Sequence, residues 1–433
     1  MTIDTGNTSW LLMSTALVML MLPGLALFYG GLVRAKNVLS TIMHSLFGLA
    51  IVTVVWVIVG FSLAFAPSVG DIGIVGGLDF IFFQDVGMEP NPDYAEGIPF
   101  VLFATFQMMF AAITPALISG AFAERKRFGA FVLFTIAWSI LVYSPMAHMI
   151  WGGGILSELG ALDFAGGTVV HIASGVSALV VALVMGRRVA GHHVEPHDVP
   201  MTVLGAGLLW FGWFGFNAGS ALAADGLAAQ ALMVTTVAAA AGMLTWVGAS
   251  YVKGRKISVV GAAAGAVAGL VAITPAAGFV TVGGALILGL VAGVVCFGAT
   301  LLRDRLSIDD SLDVFAVHGV GGIWGAIGVG IFAVAAIGGV SGLIEGNVEQ
   351  LIIQIVAVAF TVVFASVMTF IIIKAIDLAI GLRVPEEEEE AGLDVAVHGE
   401  TAYVPWSGQT GGVTTSAAIT EPTSAASTEA EPA

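Results

Sequence analysis

Eleven apolar stretches, each about twenty residues long, punctuate this 433-residue chain and limit its fold more than any other feature. An unpaired peptide group in hydrocarbon costs several kcal/mol, so such stretches cross a bilayer as helices, which satisfy their own backbone. We read them at 9–33, 39–66, 99–121, 129–150, 166–186, 200–222, 227–250, 258–275, 279–302, 313–335 and 349–378. Only 10% of the residues are charged, against about 25% in soluble domains. The chain therefore reads as an all-α integral membrane protein. Its first span is too long for a secretion signal, and no basic residue precedes it. Glycine makes up 57 of the 433 residues, which suits close helix contacts in lipid.

The basic residues set an orientation. Arg34 and Lys36 follow span one; Arg125, Lys126 and Arg127 follow span three; Arg187 and Arg188 follow span five. Lys253, Arg255 and Lys256 follow span seven, Arg303 and Arg305 follow span nine, and Lys374 and Arg383 flank the end of span eleven. These are all 14 lysines and arginines, and alternation of the spans puts every one on the same side. That side is expected to be cytoplasmic, with the N-terminus outside and the C-terminus inside. The net charge of −16 excludes a basic nucleic-acid-binding surface. Much of that acid lies in outside loops and in the tail run PEEEEE, a solvated surface. The lone Cys296 allows neither an internal disulfide nor a cysteine metal site.

Against this apolar background two histidines stand out. His171 lies in span five, within GGTVVHIASG, and His318 in span ten, within DVFAVHGVGGIWG. Spans one to five and six to ten form two halves of five, and because five is odd the second half enters from the opposite face. Such an inverted repeat places its site between the halves near the midplane. Titratable groups there are costly, and two at matched places point to function. Each histidine, however, sits about six residues into its span, roughly 9 Å from its start. The rings can meet only if both helix starts are recessed, which the glycine-rich lead-in from WGGG to FAGG permits. His44 and His148 lack this symmetry and read as packing residues; His192, His193 and His197 read as a polar loop rather than a metal site. Asp163 and Asp313 precede the two histidines and read as structural acids that cap helix starts. Phe106 and Phe110 share a helix face, and Trp151 ends span four. With Ser220 as a possible acceptor they could form a cation–π cage.

These segments, in this order, resemble the ammonium transporter (Amt/Mep/Rh) superfamily on its bacterial and archaeal Amt side. The resemblance runs from PGLALFYGGLVRAKNVLS to EEEEEAGLDVAVHGETAY and includes FAAITPALISGAFAERKRF, AHMIWGGG, WFGFNAGSA and GAVAGLVAITPAAGFV. It implies a homotrimer of eleven-helix subunits in the plasma membrane, each carrying ammonium through its own pore, with methylammonium as an analogue. It assigns His171 and His318 as twin pore histidines, and Phe110 and Phe216 as stacked rings closing the outer end. Phe106, Phe110, Trp151 and Ser220 become the recruitment site, and Asp163 the acid behind it. No cofactor, metal or enzymatic activity is implied. A PII-type signalling protein is the expected partner at the cytoplasmic face. On this reading the transport domain spans 1–382, an ordered tail 383–404, and a Ser/Thr/Ala/Glu-rich disordered tail 405–433. Two rivals remain: an ammonium sensor acting through such a partner, and a bis-histidine haem protein.

Overall fold

The computed structural model describes residues 2–191 and 194–403. Eleven helices are long and apolar enough to cross a membrane: Thr5–Leu32, Ala35–Phe65, Phe100–Phe122, Phe128–Glu158, Gly167–Met185, Val199–Ala221, Gly226–Val252, Val259–Ala276, Val282–Leu306, Phe315–Phe332 and Val348–Ile380. They are spans one to eleven, and the described residues contain no strand, only isolated bridges. The chain is thus a multi-pass membrane protein. Contacts divide it into Met1–Ala402 and Tyr403–Ala433. The expected disordered tail, 405–433, lies outside the described residues.

Local chemistry starts these helices. Asp4, Asp198, Asp225, Ser258, Thr281 and Asn347 each cap a span by accepting a backbone N–H of its first turn. Side chains such as Leu244, Val363 and Val367 stay exposed in the protein, as suits a face turned to hydrocarbon.

Spans five and ten are short, 19 and 18 residues, beside neighbours such as span eleven with 33. At 1.5 Å per residue they cover about 27–29 Å, marginal for a core of about 30 Å. Both open in π-helical turns, Gly167–Ile172 and Phe315–Gly319. Three further π segments lie at Trp56–Gly60, Ser139–Tyr143 and Phe214–Ala218. Packing between the two halves is reciprocal. The π start of span ten rests on span five, and the π start of span five on span ten. A side chain on Gly175 would collide with the Gly319 backbone, and one on Gly322 would press on the Gly167 carbonyl and His171. Only glycine allows both approaches. Span one packs chiefly on span six, spans seven to nine pack together, and span eleven lies along spans four, five and ten.

The loops with the basic residues share what we call the basic end. The first part of the tail folds there into two short helices, Glu386–Ala391 and Leu393–His398. The Asp394 carboxylate accepts the N–H groups of Leu39 (3.0 Å) and Ser40 (2.8 Å) at the start of span two. Glu389 accepts from Val189 N–H and pairs with Arg383, both at 2.6 Å. Of the described tail acids, these two are buried.

Candidate functional site

The site begins with the recessed start of span five. A helix start inside the protein leaves N–H groups that no water can reach. Asp163, 7% exposed, meets them. Its carboxylate accepts from Gly166 (2.8 Å), Gly167 (2.6 Å), Thr168 (2.7 Å) and Val169 (3.2 Å), and from the Thr168 hydroxyl. Burial pushes this carboxyl upward, against the pull of those donors. Its own carbonyl accepts the Trp151 indole N–H at 2.8 Å, so the residue that starts span five also aims Trp151.

Trp151 and Ser220 line a cavity of 290 Å³ at the far end, opposite the basic end, together with Phe106 and Phe110. Phe110 meets Phe106 edge-on at 4.9 Å and Trp151 edge-on at 6.1 Å. The Ser220 hydroxyl donates to the Phe216 carbonyl at 2.8 Å, which leaves its oxygen lone pairs free. Phe110 stacks on Phe216 with centroids 4.2 Å apart and planes 28° from parallel. Phe110 lines this cavity and Phe216 the next one, so the stack separates the two.

Beyond the stack lies a cavity of only 10 Å³, lined by His171 and His318 together with apolar walls that include Ile113, Val170 and Trp213. The two Nδ1 atoms are 3.2 Å apart. One ring must therefore donate an Nδ1–H and the other accept it. His171 Nε2 has no hydrogen-bond partner. Its ring lies nearly parallel to those of Trp213 (5.4 Å) and Phe216 (5.9 Å), which also touch each other at 5.5 Å, so the three rings form a triangle. Trp213 is a site residue that the sequence reading missed. It sits in the aromatic run LLWFGWFGF, where nothing in the spacing separates a pore ring from a packing ring. The direct contact between the two Nδ1 atoms also leaves no room for an iron between them, which argues against the haem alternative.

His318 also borders a third cavity, of 480 Å³, at the basic end, with Phe28, Tyr29, Arg303 and Asp313. Here one expectation needs correction. Asp313 does not cap span ten. Its backbone is left-handed, at φ 59°, and its carboxylate turns away to pair with Arg303 at 2.7 Å. The cap comes from Asp310, which accepts the Phe315 N–H at 2.7 Å.

The remaining histidines lie elsewhere, His398 edge-on to Phe128 at 5.4 Å. His148 bonds to Ser68 Oγ (2.7 Å) and the Ala64 carbonyl (3.2 Å). His44 packs among Phe122, Phe128 and Phe131. His197 contacts the Val33 carbonyl at 2.8 Å. His192 and His193 lie outside the described residues.

The chain is 52% identical over 401 residues to the ammonium transporter of Bacillus subtilis, covering 92% of this chain and 98% of that protein. It is 48% identical to ammonium transporter Amt1 of Archaeoglobus fulgidus, covering 92% and 99%. Among solved structures it resembles Saccharomyces cerevisiae Mep2 with a TM-score of 0.83 at 38% identity, covering 89% of this chain and 91% of that one. It also resembles a structure described as a sensor Amt protein, with a TM-score of 0.84 at 32% identity, covering 90% and 98%. The sequence model of the Ammonium Transporter Family matches residues 9–403, and the chain belongs to that family.

Proposed function

We propose that this protein carries ammonium across the cell membrane, taking the cation at the far-end vestibule and passing ammonia and a proton separately past the twin histidines. The basic end is cytoplasmic on this reading. The observation that carries it is the Nδ1 to Nδ1 hydrogen bond inside a passage otherwise walled by apolar groups.

Ammonium and potassium are alike in size and charge, so a pore that only fits a cation cannot separate them. Ammonium can shed a proton, and potassium cannot. Trp151, Phe106 and Phe110 attract the cation through their ring faces, and Ser220 accepts one of its N–H groups. Moving a full charge into the narrow cavity costs about 3 kcal/mol or more. Desolvation favours the neutral amine, so ammonium gives up its proton there. The unpartnered His171 Nε2 takes a proton, and His171 passes its Nδ1 proton to His318. His318 then releases a proton toward the basic-end cavity. Ammonia follows through the apolar passage and regains a proton on that side, giving net transfer of ammonium. Asp163 stays a positioning group, fixing the start of span five and the Trp151 ring.

Currents from reconstituted protein on pulses of ammonium, methylammonium and potassium test this. Currents with the first two and none with potassium are expected. Ammonia flux without current would mean a gas channel instead. We further propose a homotrimer whose basic end, with the 383–404 tail, docks a PII-type protein. The likeness to a sensor Amt structure favours a second reading, in which binding is signalled to that partner. Uptake and partner binding measured on one preparation separate the two.

A further inference from the structure

The far-end vestibule is much larger than its proposed substrate needs. It measures 290 Å³, against roughly 30 Å³ for one molecule of liquid water, and ammonium is close to water in size. Behind the Phe110–Phe216 stack the space falls to 10 Å³. The entrance admits a larger body that the passage excludes.

The walls say what kind of body. Trp151 and Phe164, both partly exposed, line the space, with Phe65, Phe103, Phe106 and Phe110 buried in its wall. Open aromatic faces such as that of Trp151 recognise quaternary ammonium groups, whose charge lies beneath methyl groups that rest on the ring. Among the described lining residues Asp93 is the sole carboxylate, and no lysine, arginine or histidine accompanies it. Its position is fixed from both sides. The Asp93 N–H donates to Asn91 Oδ1 at 3.0 Å, and Ala95 N–H donates to the Asn91 carbonyl at 2.9 Å. The next residue, Tyr94, stacks on Phe100 (5.6 Å) and Phe103 (5.3 Å), and its hydroxyl donates to the Phe65 carbonyl. An exposed carboxylate on a hydrogen-bonded turn thus lines the same cavity as Trp151 and Phe164.

We propose that this vestibule binds quaternary ammonium cations, of tetramethylammonium to choline size, with Asp93 as their counter-charge, and that they block it from that side. Such ions have no proton to shed and cannot pass the stacked rings. The block rests on the transport reading; the binding does not.

Ammonium currents through the reconstituted full chain, with tetramethylammonium or choline added on the vestibule side, test the proposal. Both cations should raise the apparent KM for ammonium without lowering the maximal current. Dimethylbutanol, the uncharged isostere of choline, should do nothing. Asp93→Asn should weaken inhibition about two- to fivefold, Asp93→Glu should restore it, and high salt should erase the difference. Trp151→Leu should weaken it about two- to thirtyfold. Calorimetry with tetramethylammonium on the purified full chain reads binding independently. Binding without any ammonium current would overturn the transport reading and keep the vestibule proposal. Ammonium current with neither inhibition nor binding would overturn the proposal and keep transport. Equal inhibition by dimethylbutanol, or an unchanged block in Asp93→Asn at low salt, would also overturn it.

Discussion

Two imidazoles joined through Nδ1 share one hydrogen, and two positive charges at that distance repel. On the proposed mechanism the pair works as a unit, and removing either ring should break the relay. His171→Asp or His318→Asp should change the ammonium-to-potassium current ratio more than it changes the amount of folded protein. Unchanged selectivity and pH dependence in both variants would remove the histidines from the mechanism. On the proposed route Trp151 acts earlier. Replacing it with leucine deletes a cation–π contribution of about 0.5–2 kcal/mol, so half-saturation should rise several-fold while assembly persists; an unaltered concentration dependence counts against the cage. Some of this was legible in sequence, because polar side chains in apolar helices are conspicuous. Asp310 was not, since the capping acid is chosen by how the chain turns at Asp313 rather than by nearness to the helix. Asp93 was not either, because it reaches the vestibule from a loop with no periodicity to betray it.

At the scale of helices, hydropathy located all eleven spans, since length and apolarity alone decide them. It could not decide depth. Counting residues from each helix start kept the two rings apart, and they meet because both spans begin inside the protein in π turns with carboxylate caps. The tail shows a similar division. Glu386–Ala391 reads as a solvated acidic run, yet Glu389 is buried against Arg383 and Val189, because one face of that short helix meets the basic end. Asp394 supplies span two with a cap from 354 residues away in sequence. We expect a chain cut after Ala402 to keep transport and PII binding largely intact, and a chain cut before Gly392 to be impaired in one or both. A pull-down with the cognate PII protein, with ATP, ADP or 2-oxoglutarate, is the check. Equal binding by both truncations would leave docking to the loops alone.

At the scale of the molecule, one ion network ties the basic end together. Glu124 pairs with Arg34 (3.0 Å) and Arg188 (2.7 Å), Asn37 donates to it at 2.9 Å, and Arg188 continues to Asp309 at 2.9 Å. Burial pushes the Glu124 carboxyl up, but Arg188, Arg34 and the donors around it bring it below its ordinary value of 4.5. A carboxylate held low in the fold stabilises it fully above that ordinary value, and the gain fades as pH falls below it. The melting temperature in detergent should therefore drop on acidification below pH 4.5. Glu124→Gln should melt lower at neutral pH, by about 3–5 kcal/mol of stability, and show a smaller acid drop; an identical drop would exclude Glu124 as its source. Light scattering on the purified protein should give the mass of three chains, and a monomer would refute the trimer. The hydrogen bond between the histidines also has a consequence in time. Its partners are 147 residues apart in the chain. At roughly 5–20 residues per second, a ribosome needs about seven to thirty seconds to travel from one to the other. During that interval span five is already made but lacks the surface that Gly175 and His171 pack against. The first half must wait, unfinished, in the membrane, and it is at its most vulnerable to quality-control proteases until span ten arrives.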